Sequence, residues 1–240
     1  MKIGIYGAGF VGSTIAYSLC LLNLAEQIFI YDKNIEKAKA NVYDIQDGIH
    51  LTNIKIANLS ELYKTDLIIV CIGNSLLLKK EKGRYEEKTI NNDAINILCK
   101  ELKKNNYNGF IINVSNPNDI ISHSIYKIIK NKEKIFGTGT WLDTNRLKNQ
   151  IENISIIGEH GNGVIDTNYK KNIQIRYQTI LNGKGYTNFG ISKIVCDIVK
   201  IIQQQKEHKV ILSVYNNGKF TSRSVLLSNK GVKNDTKTSS

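Results

Sequence analysis

Proline occurs once in the 240 residues, at Pro117, and tryptophan and methionine occur once each. A chain so poor in proline is neither a polyproline linker nor a collagen-like repeat. Cysteine is sparse too: Cys20, Cys71, Cys99 and Cys196 lie far apart and form no CxxC pair. That spacing argues against a disulfide framework or a zinc ribbon and reads as reduced thiols in apolar or helical surroundings. One long stretch, Ile3 to Ala25, carries no charge. Gly4, Gly7, Gly9, Gly12, Ser13, Thr14 and Asn23 interrupt it, so it reads as a buried strand, a glycine turn and a helix. No targeting segment, membrane partner or metal site is expected, and the chain reads as cytoplasmic.

A basic stripe is also missing. The net charge is +12, but the excess is lysine spread through Asn- and Ile-rich segments such as IKIANLSELYK and KNKEKIF. Without basic residues interleaved with aromatics, a composition-wide bias explains the charge, and nucleic acid is not an expected partner. The 41% apolar content is enough for a real core.

What is present is alternation. KIGIY (2–6), QIFIY (27–31), LIIVCI (67–72) and FIINV (110–114) are short apolar runs. VGSTIAYSLCLLN, IEKAKANVYDIQ and YEEKTINNDAINILCKELKKN between them have helical spacing. Strands apolar on both faces, alternating with helices, predict an α/β fold: a doubly wound parallel (Rossmann) sheet over 1–140. Beyond that the pattern loosens. A helix near 142–151, the strand NISIIG (153–158), a helix over 187–206 and a hairpin about Asn217-Gly218 are expected. They compose a second, truncated α+β domain over 141–240, ending in the polar tail KNDTKTSS.

GAGFVG (7–12) is a GxGxxG pattern, weak alone. Here it follows the first strand and opens a helix, and Asp32 ends the second strand twenty residues beyond Gly12. Gly7, Gly9 and Gly12 permit a tight turn and close approach of a pyrophosphate to a helix N-terminus. Asp32 can accept hydrogen bonds from ribose hydroxyls and would repel a 2′-phosphate, which points to NAD rather than NADP.

The other suggestive residues have plainer readings. IIGEHGN places His160 between Gly158 and Gly161, which suits a histidine aimed into a cleft or an ordinary surface turn. Asp143 and Arg146 in GTGTWLDTNRL share a helix face and could be a simple ion pair. Arginine is scarce, however: Arg84, Arg146, Arg176 and Arg223 stand against many lysines. Such a composition keeps arginine where a planar fork matters, as on a carboxylate. Arg84, in KKEKGRYEEKT, reads as a residue of a mobile loop or of a solvated charge run.

In order, GAGFVGSTIAYSL, VSNPNDI, GTGTWLDTNRL, IIGEHGN and LNGKGYTNFGIS resemble the lactate/malate dehydrogenase family, with the hydroxyisocaproate branch most similar. The resemblance implies an NAD-dependent L-2-hydroxyacid dehydrogenase acting on a small 2-oxo or 2-hydroxy acid, and a homo-oligomer. His160 then exchanges a proton with the substrate oxygen, Asp143 orients it, and Arg84 on a closing loop polarises the carbonyl. Arg146 grips the carboxylate, Asn116 bonds the substrate oxygen, and Thr187 and Leu78 line the side-chain pocket. Gly73, Ser115 and Asn116 join Gly7, Gly9, Gly12 and Asp32 around the cofactor, and the Asn116–Pro117 bond is cis. Asp44 lies behind the site.

The pattern also departs from the family. Twenty residues, Gly161 to Ile180, separate His160 from LNGKGYT, where relatives carry a longer insert with a strand and a helix. The chain stops soon after VLLSNKGV, without the family's long C-terminal helix. A catalytically impaired NAD-binding remnant and an L-lactate dehydrogenase therefore stand as alternatives to the aliphatic 2-oxo acid reading.

Overall fold

A computed structural model describes residues 1–50, 53–73, 83–148, 154–160 and 167–235. Apolar residues on both strand faces dictate a sheet covered on both sides, and that is what forms. In chain order the elements are β1 (Lys2–Tyr6), α1 (Phe10–Leu21), β2 (Gln27–Tyr31), α2 (Ile35–Gly48), β3 (Ile54–Ile56) and a 3-10 turn (Leu59–Lys64). Then come β4 (Leu67–Val70), α3 (Gly83–Lys104), β5 (Phe110–Asn113), α4 (Asn118–Ile129) and β6 (Ile135–Gly137). Last are α5 (Trp141–Lys148), α6 (Thr167–Lys184), α7 (Phe189–Ile202), β7 (His208–Asn216), β8 (Lys219–Ser228) and β9 (Gly231–Asn234).

The strands form one nine-stranded sheet in the order β3-β2-β1-β4-β5-β6-β7-β8-β9. The first six are parallel; β7, β8 and β9 continue it antiparallel, joined to β6 through the pair Gly137 and Ser213. Alternate residues supply two cores. Ile3, Ile5, Leu67, Ile69 and Ile112 face α1 and α7 residues such as Ile15, Leu19, Val195 and Ile198. Ile68, Val70 and Ile111 face α3 and α4 through Ile95, Leu98, Ile121 and Ile125. The chain reverses its winding between β1 and β4, which opens a crevice at the C-terminal strand ends.

The four apolar runs fold as the strands expected, and Asn217 and Gly218 adopt the positive φ of 46° and 87° that a tight hairpin turn needs. Several expectations need correction. NISIIG forms no strand over its described part: 154–156 are irregular, and Gly158 makes an isolated bridge to Ser222. An apolar run this short carries no helix-or-strand information of its own. Between His160 and Tyr186 the chain forms α6, an element the sequence pattern did not mark. Arg84 is the second residue of α3 rather than part of a loop. The helix expected over 187–206 spans Phe189–Ile202, and the tail begins later, because Lys233 and Asn234 pair in β9.

Candidate active site

The first half of the site is the turn between β1 and α1. Gly7 has φ +112°, and a Cβ there would meet the Cys71 carbonyl oxygen at 2.6 Å. A Cβ on Gly12 would strike the carbonyl of Gly7, so helix and turn touch backbone to backbone. Gly9 differs: the nearest atom to a Cβ there is Lys37 Nζ, at 3.7 Å. The space over Gly9, unlike that over the other two, is open. Gly9 caps α1, whose first turn has no acidic residue to compete for its free N–H groups. Beside this cradle, Asp32 is held by two backbone donors. Ala8 N–H donates to Oδ2 at 2.8 Å and Asn34 N–H to Oδ1 at 2.9 Å. The fixed carboxylate keeps lone pairs for further donors. An anion-accepting helix end, an open glycine and a carboxylate at the end of β2 fit a dinucleotide.

Cys71 lies beneath the turn, and burial pushes its thiol pKa well up, so it packs there as a protonated, apolar group. Gly73 is exposed past the end of β4. Ser115 is buried after β5: Asn113 Oδ1 accepts its N–H at 3.0 Å, and its hydroxyl donates to the Val70 carbonyl at 3.2 Å. Asn116 follows with its side chain exposed and its carbonyl bonded by Asn91. The Asn116–Pro117 bond is cis, as expected.

The second half forms where α5 meets the segment 154–160. The backbone N–H of Ile156 donates to Thr144 Oγ1 at 3.1 Å, and Thr140 Oγ1 donates back to the Ile156 carbonyl, which ties that segment along α5. Gly158 (φ +106°) pairs its backbone with Ser222 at 2.8 Å in both directions. The chain then delivers His160 to Asp143. One oxygen of Asp143 bonds Arg146 Nη1, and the other lies 3.8 Å from His160 Nδ1. Nδ1 is buried and has no hydrogen-bond partner in this arrangement. The Arg146 guanidinium also stands over the Tyr177 ring at 5.5 Å, so α6 walls this side of the site. His160 therefore joins the Asp143–Arg146 helix pair in one cluster, with an imidazole, a carboxylate and a guanidinium in line.

Thr187 is half-buried just before Asn188, the cap of α7. Neighbouring Tyr186 stacks flat on Phe10 of the glycine turn, with ring centroids 3.9 Å apart, and Asn188 Nδ2 donates to Thr14 Oγ1 at 2.7 Å. These contacts bring Thr187 to the cofactor turn. Asp44 is exposed on α2. The side chain of Arg84 and all of Leu78 lie outside the described residues. Among the described residues, no three His, Cys, Asp or Glu side chains gather to hold a metal, and no helix is long and apolar enough to cross a membrane.

One residue here escaped the sequence reading. Asp119, in the first turn of α4, accepts the backbone N–H of His160 at 2.8 Å and the hydroxyl of Ser213 at 2.5 Å. Its only sequence signal was a place two residues after Pro117, where an acid is an ordinary complement to a helix N-terminus.

Comparison with known proteins fits this geometry. The family described as lactate/malate dehydrogenase, NAD binding domain, matches residues 1–137. An L-lactate dehydrogenase of Clostridium perfringens is 30% identical over 261 residues, covering 91% of this chain and 82% of that one. One of Fusobacterium nucleatum is 29% identical over 262 residues, covering 91% and 81%. Among solved structures, a lactate dehydrogenase from a Medee basin deep-sea metagenome library superposes with TM-score 0.83 at 22% identity, covering 98% of this chain and 92% of that one. Malate dehydrogenase from Archaeoglobus fulgidus in complex with NADH gives TM-score 0.83 at 24% identity, covering 98% and 90%. At these identities the two superpositions speak for the fold.

Proposed function

The chain belongs to the lactate/malate dehydrogenase family, and from that premise we propose how its site works and on what. It is an NAD-dependent 2-hydroxyacid dehydrogenase. The observation that carries the assignment of roles is the line Arg146–Asp143–His160, with one carboxylate serving both cations.

NAD, when bound, supplies or accepts the hydride at C2 of the acid. Gly7, Gly9 and Gly12 receive its pyrophosphate, Asp32 its adenosine ribose, and Gly73, Ser115 and Asn116 the nicotinamide end. His160 holds the proton that the C2 oxygen takes up on reduction and returns on oxidation, and neutral pH suits an imidazole to that exchange. Asp143 orients the ring from 3.8 Å. Arg146 binds the substrate carboxylate by its planar fork. Arg84 steadies the negative charge developing on the carbonyl oxygen. Asn116 donates to the same oxygen.

The substrate we favour is a 2-oxo acid with an aliphatic side chain. Support comes from Leu76, Leu77 and Leu78, a run without charge where the acid's side chain is expected, and from Thr187 on the other side of the pocket. Pyruvate is the second reading, favoured by the L-lactate dehydrogenases among the relatives. Residues 1–140 form the cofactor domain in this scheme and 141–240 the substrate domain. A homo-oligomer in the cytoplasm completes it: Tyr17, Leu21 and Tyr43 expose apolar surface on α1 and α2, and Cys71, Cys99 and Cys196 are free thiols. The test is NADH oxidation, followed by absorbance, with 2-oxoisocaproate, pyruvate and oxaloacetate side by side. Turnover of none of them would refute the reading.

A further inference from the structure

We infer that Asp119 is the positioning residue that sets His160 against Asp143, a role that rests on the dehydrogenase reading of the site. Three segments meet at its carboxylate. Asp119 itself rides on α4, directly after the Asn116–Pro117 turn. Its Oδ2 accepts the His160 backbone N–H at 2.8 Å, across 41 residues of sequence. Its Oδ1 accepts the Ser213 hydroxyl at 2.5 Å, which ties α4 to β7.

The geometry makes this contact decisive for the ring. The segment carrying His160 is pinned on its N-terminal side by the backbone pair of Gly158 and Ser222. Gly158 has φ +106° and no side chain, so that pair fixes position but leaves the following peptides free to swivel. The second pin is His160 N–H on Asp119, and only Glu159 separates the two. With both pins, Cα of His160 has one place and one direction, and the ring faces Asp143 at 3.8 Å. With Asp119 shortened, the His160 N–H loses a charged acceptor and the peptide is free to turn. Nothing else among the described residues bonds the ring: Nδ1 has no hydrogen-bond partner, and Asp143 also serves Arg146. Asp119 thus sets the backbone from which the imidazole faces Asp143. A carboxylate suits the task because its two oxygens accept from two segments at once, in the first turn of a helix whose N-terminus favours negative charge.

The experiment compares Asp119→Ala and Asp119→Asn with the wild type in NADH-dependent reduction of a 2-oxo acid. It is read together with hydrogen exchange at the His160 backbone amide by NMR, assigned with His160→Gln. In Asp119→Ala, kcat should fall roughly 10- to 100-fold, the scale of an ångström-sized misplacement of a reacting group. KM and NADH affinity should stay within about threefold, since neither Arg146 nor the glycine turn is touched. Hydrogen exchange at the His160 amide should quicken, because its N–H has lost its acceptor. Asp119→Asn still accepts the His160 N–H and should recover kcat to within about threefold of wild type. An alanine variant with wild-type kcat overturns the inference. So does one that loses activity only in proportion to lost folded protein. A wild-type chain that turns over no 2-oxo acid sinks the dehydrogenase reading instead. Amide exchange at His160 then decides the contact alone: faster exchange in Asp119→Ala supports it, and unchanged exchange overturns it.

Discussion

The three glycines of the turn should fail in different ways when each is replaced by alanine. At Gly12 the new methyl would run into the Gly7 carbonyl. That group cannot retreat, because Gly7 N–H donates to the Tyr31 carbonyl at 2.7 Å and the Gly7 φ of +112° leaves little alternative backbone. Overpacking against fixed backbone costs about 1–3 kcal/mol, and a chain of this size loses roughly 2–4 °C per kcal/mol, so Tm should fall by several degrees. At Gly9 the methyl meets nothing nearer than a lysine tip at 3.7 Å, and φ is −74°, comfortable for alanine. Folding should be unharmed or gain about 0.4–1 kcal/mol through a less flexible unfolded chain. The same methyl would occupy the space over the helix end, where a pyrophosphate must approach the N–H groups. Losing one charge-assisted hydrogen bond costs about 1.5–3 kcal/mol, so NADH affinity should drop at least tenfold. Thermal denaturation and NADH fluorescence titration measure the two effects separately. A Gly9→Ala protein that melts early yet binds NADH normally would refute this account of why Gly9 is bare.

Further outcomes follow from the same geometry. Asp32 should make NADH bind more tightly than NADPH, because a carboxylate held by Ala8 and Asn34 repels a 2′-phosphate; equal affinities by calorimetry would contradict it. His160→Ala should slow turnover by roughly 10²–10⁴-fold with NADH binding nearly intact, and unchanged turnover would remove His160 from the mechanism. 2-Oxoisocaproate should show a higher kcat/KM than pyruvate, by about 0.8 kcal/mol per extra buried CH₂, and oxaloacetate the lowest, since its second carboxylate would face leucines. Burial pushes the Cys99 thiol up to about 12, so a thiol reagent at neutral pH should leave it unlabelled in the folded chain; rapid labelling would contradict that burial.

The cofactor half was readable because its signals are local. β1, β2, β4 and β5 are apolar on both faces, and the glycine turn and Asp32 sit at fixed spacings from them. β3 and β6 have three residues each, too few for a period to show. α6 was missed because TNYKKNIQIRYQTILNGK is mostly polar, with no apolar stripe to mark a buried face. At the catalytic cluster the residue types were legible in LDTNR and GEHGN, but their meeting was not. Asp143 and His160 approach through tertiary contacts, and Asp119 reaches His160 across 41 residues and Ser213 across 94. No periodicity encodes such pairs. The same holds for the hairpin, whose turn was plain while its docking onto β6 rests on one residue pair.

That docking explains how the parallel sheet can hold His160, which lies outside it. Ser213 and Ser222 stand opposite one another in β7 and β8, and both are buried. Ser213 pairs with Gly137 at the end of β6 and gives its hydroxyl to Asp119. Ser222 pairs its backbone with Gly158 and accepts the Thr140 N–H on its hydroxyl at 3.1 Å. Gly139, with φ +53°, lies against both: a Cβ there would stand 2.5 Å from Ser222 Oγ and 2.7 Å from Ser213 N. One rung of the hairpin thus receives the end of β6, the turn that launches α5 with Asp143 and Arg146, the segment that carries His160, and the α4 turn beside Asn116. Only a small side chain fits such a convergence, and only a hydroxyl satisfies the donors and acceptors that converge there. The antiparallel extension fixes the Arg146–Asp143–His160 cluster to the frame that holds the glycine turn. An error in their relative placement would have to bend the sheet, and a buried sheet resists bending far more than a surface loop resists drifting.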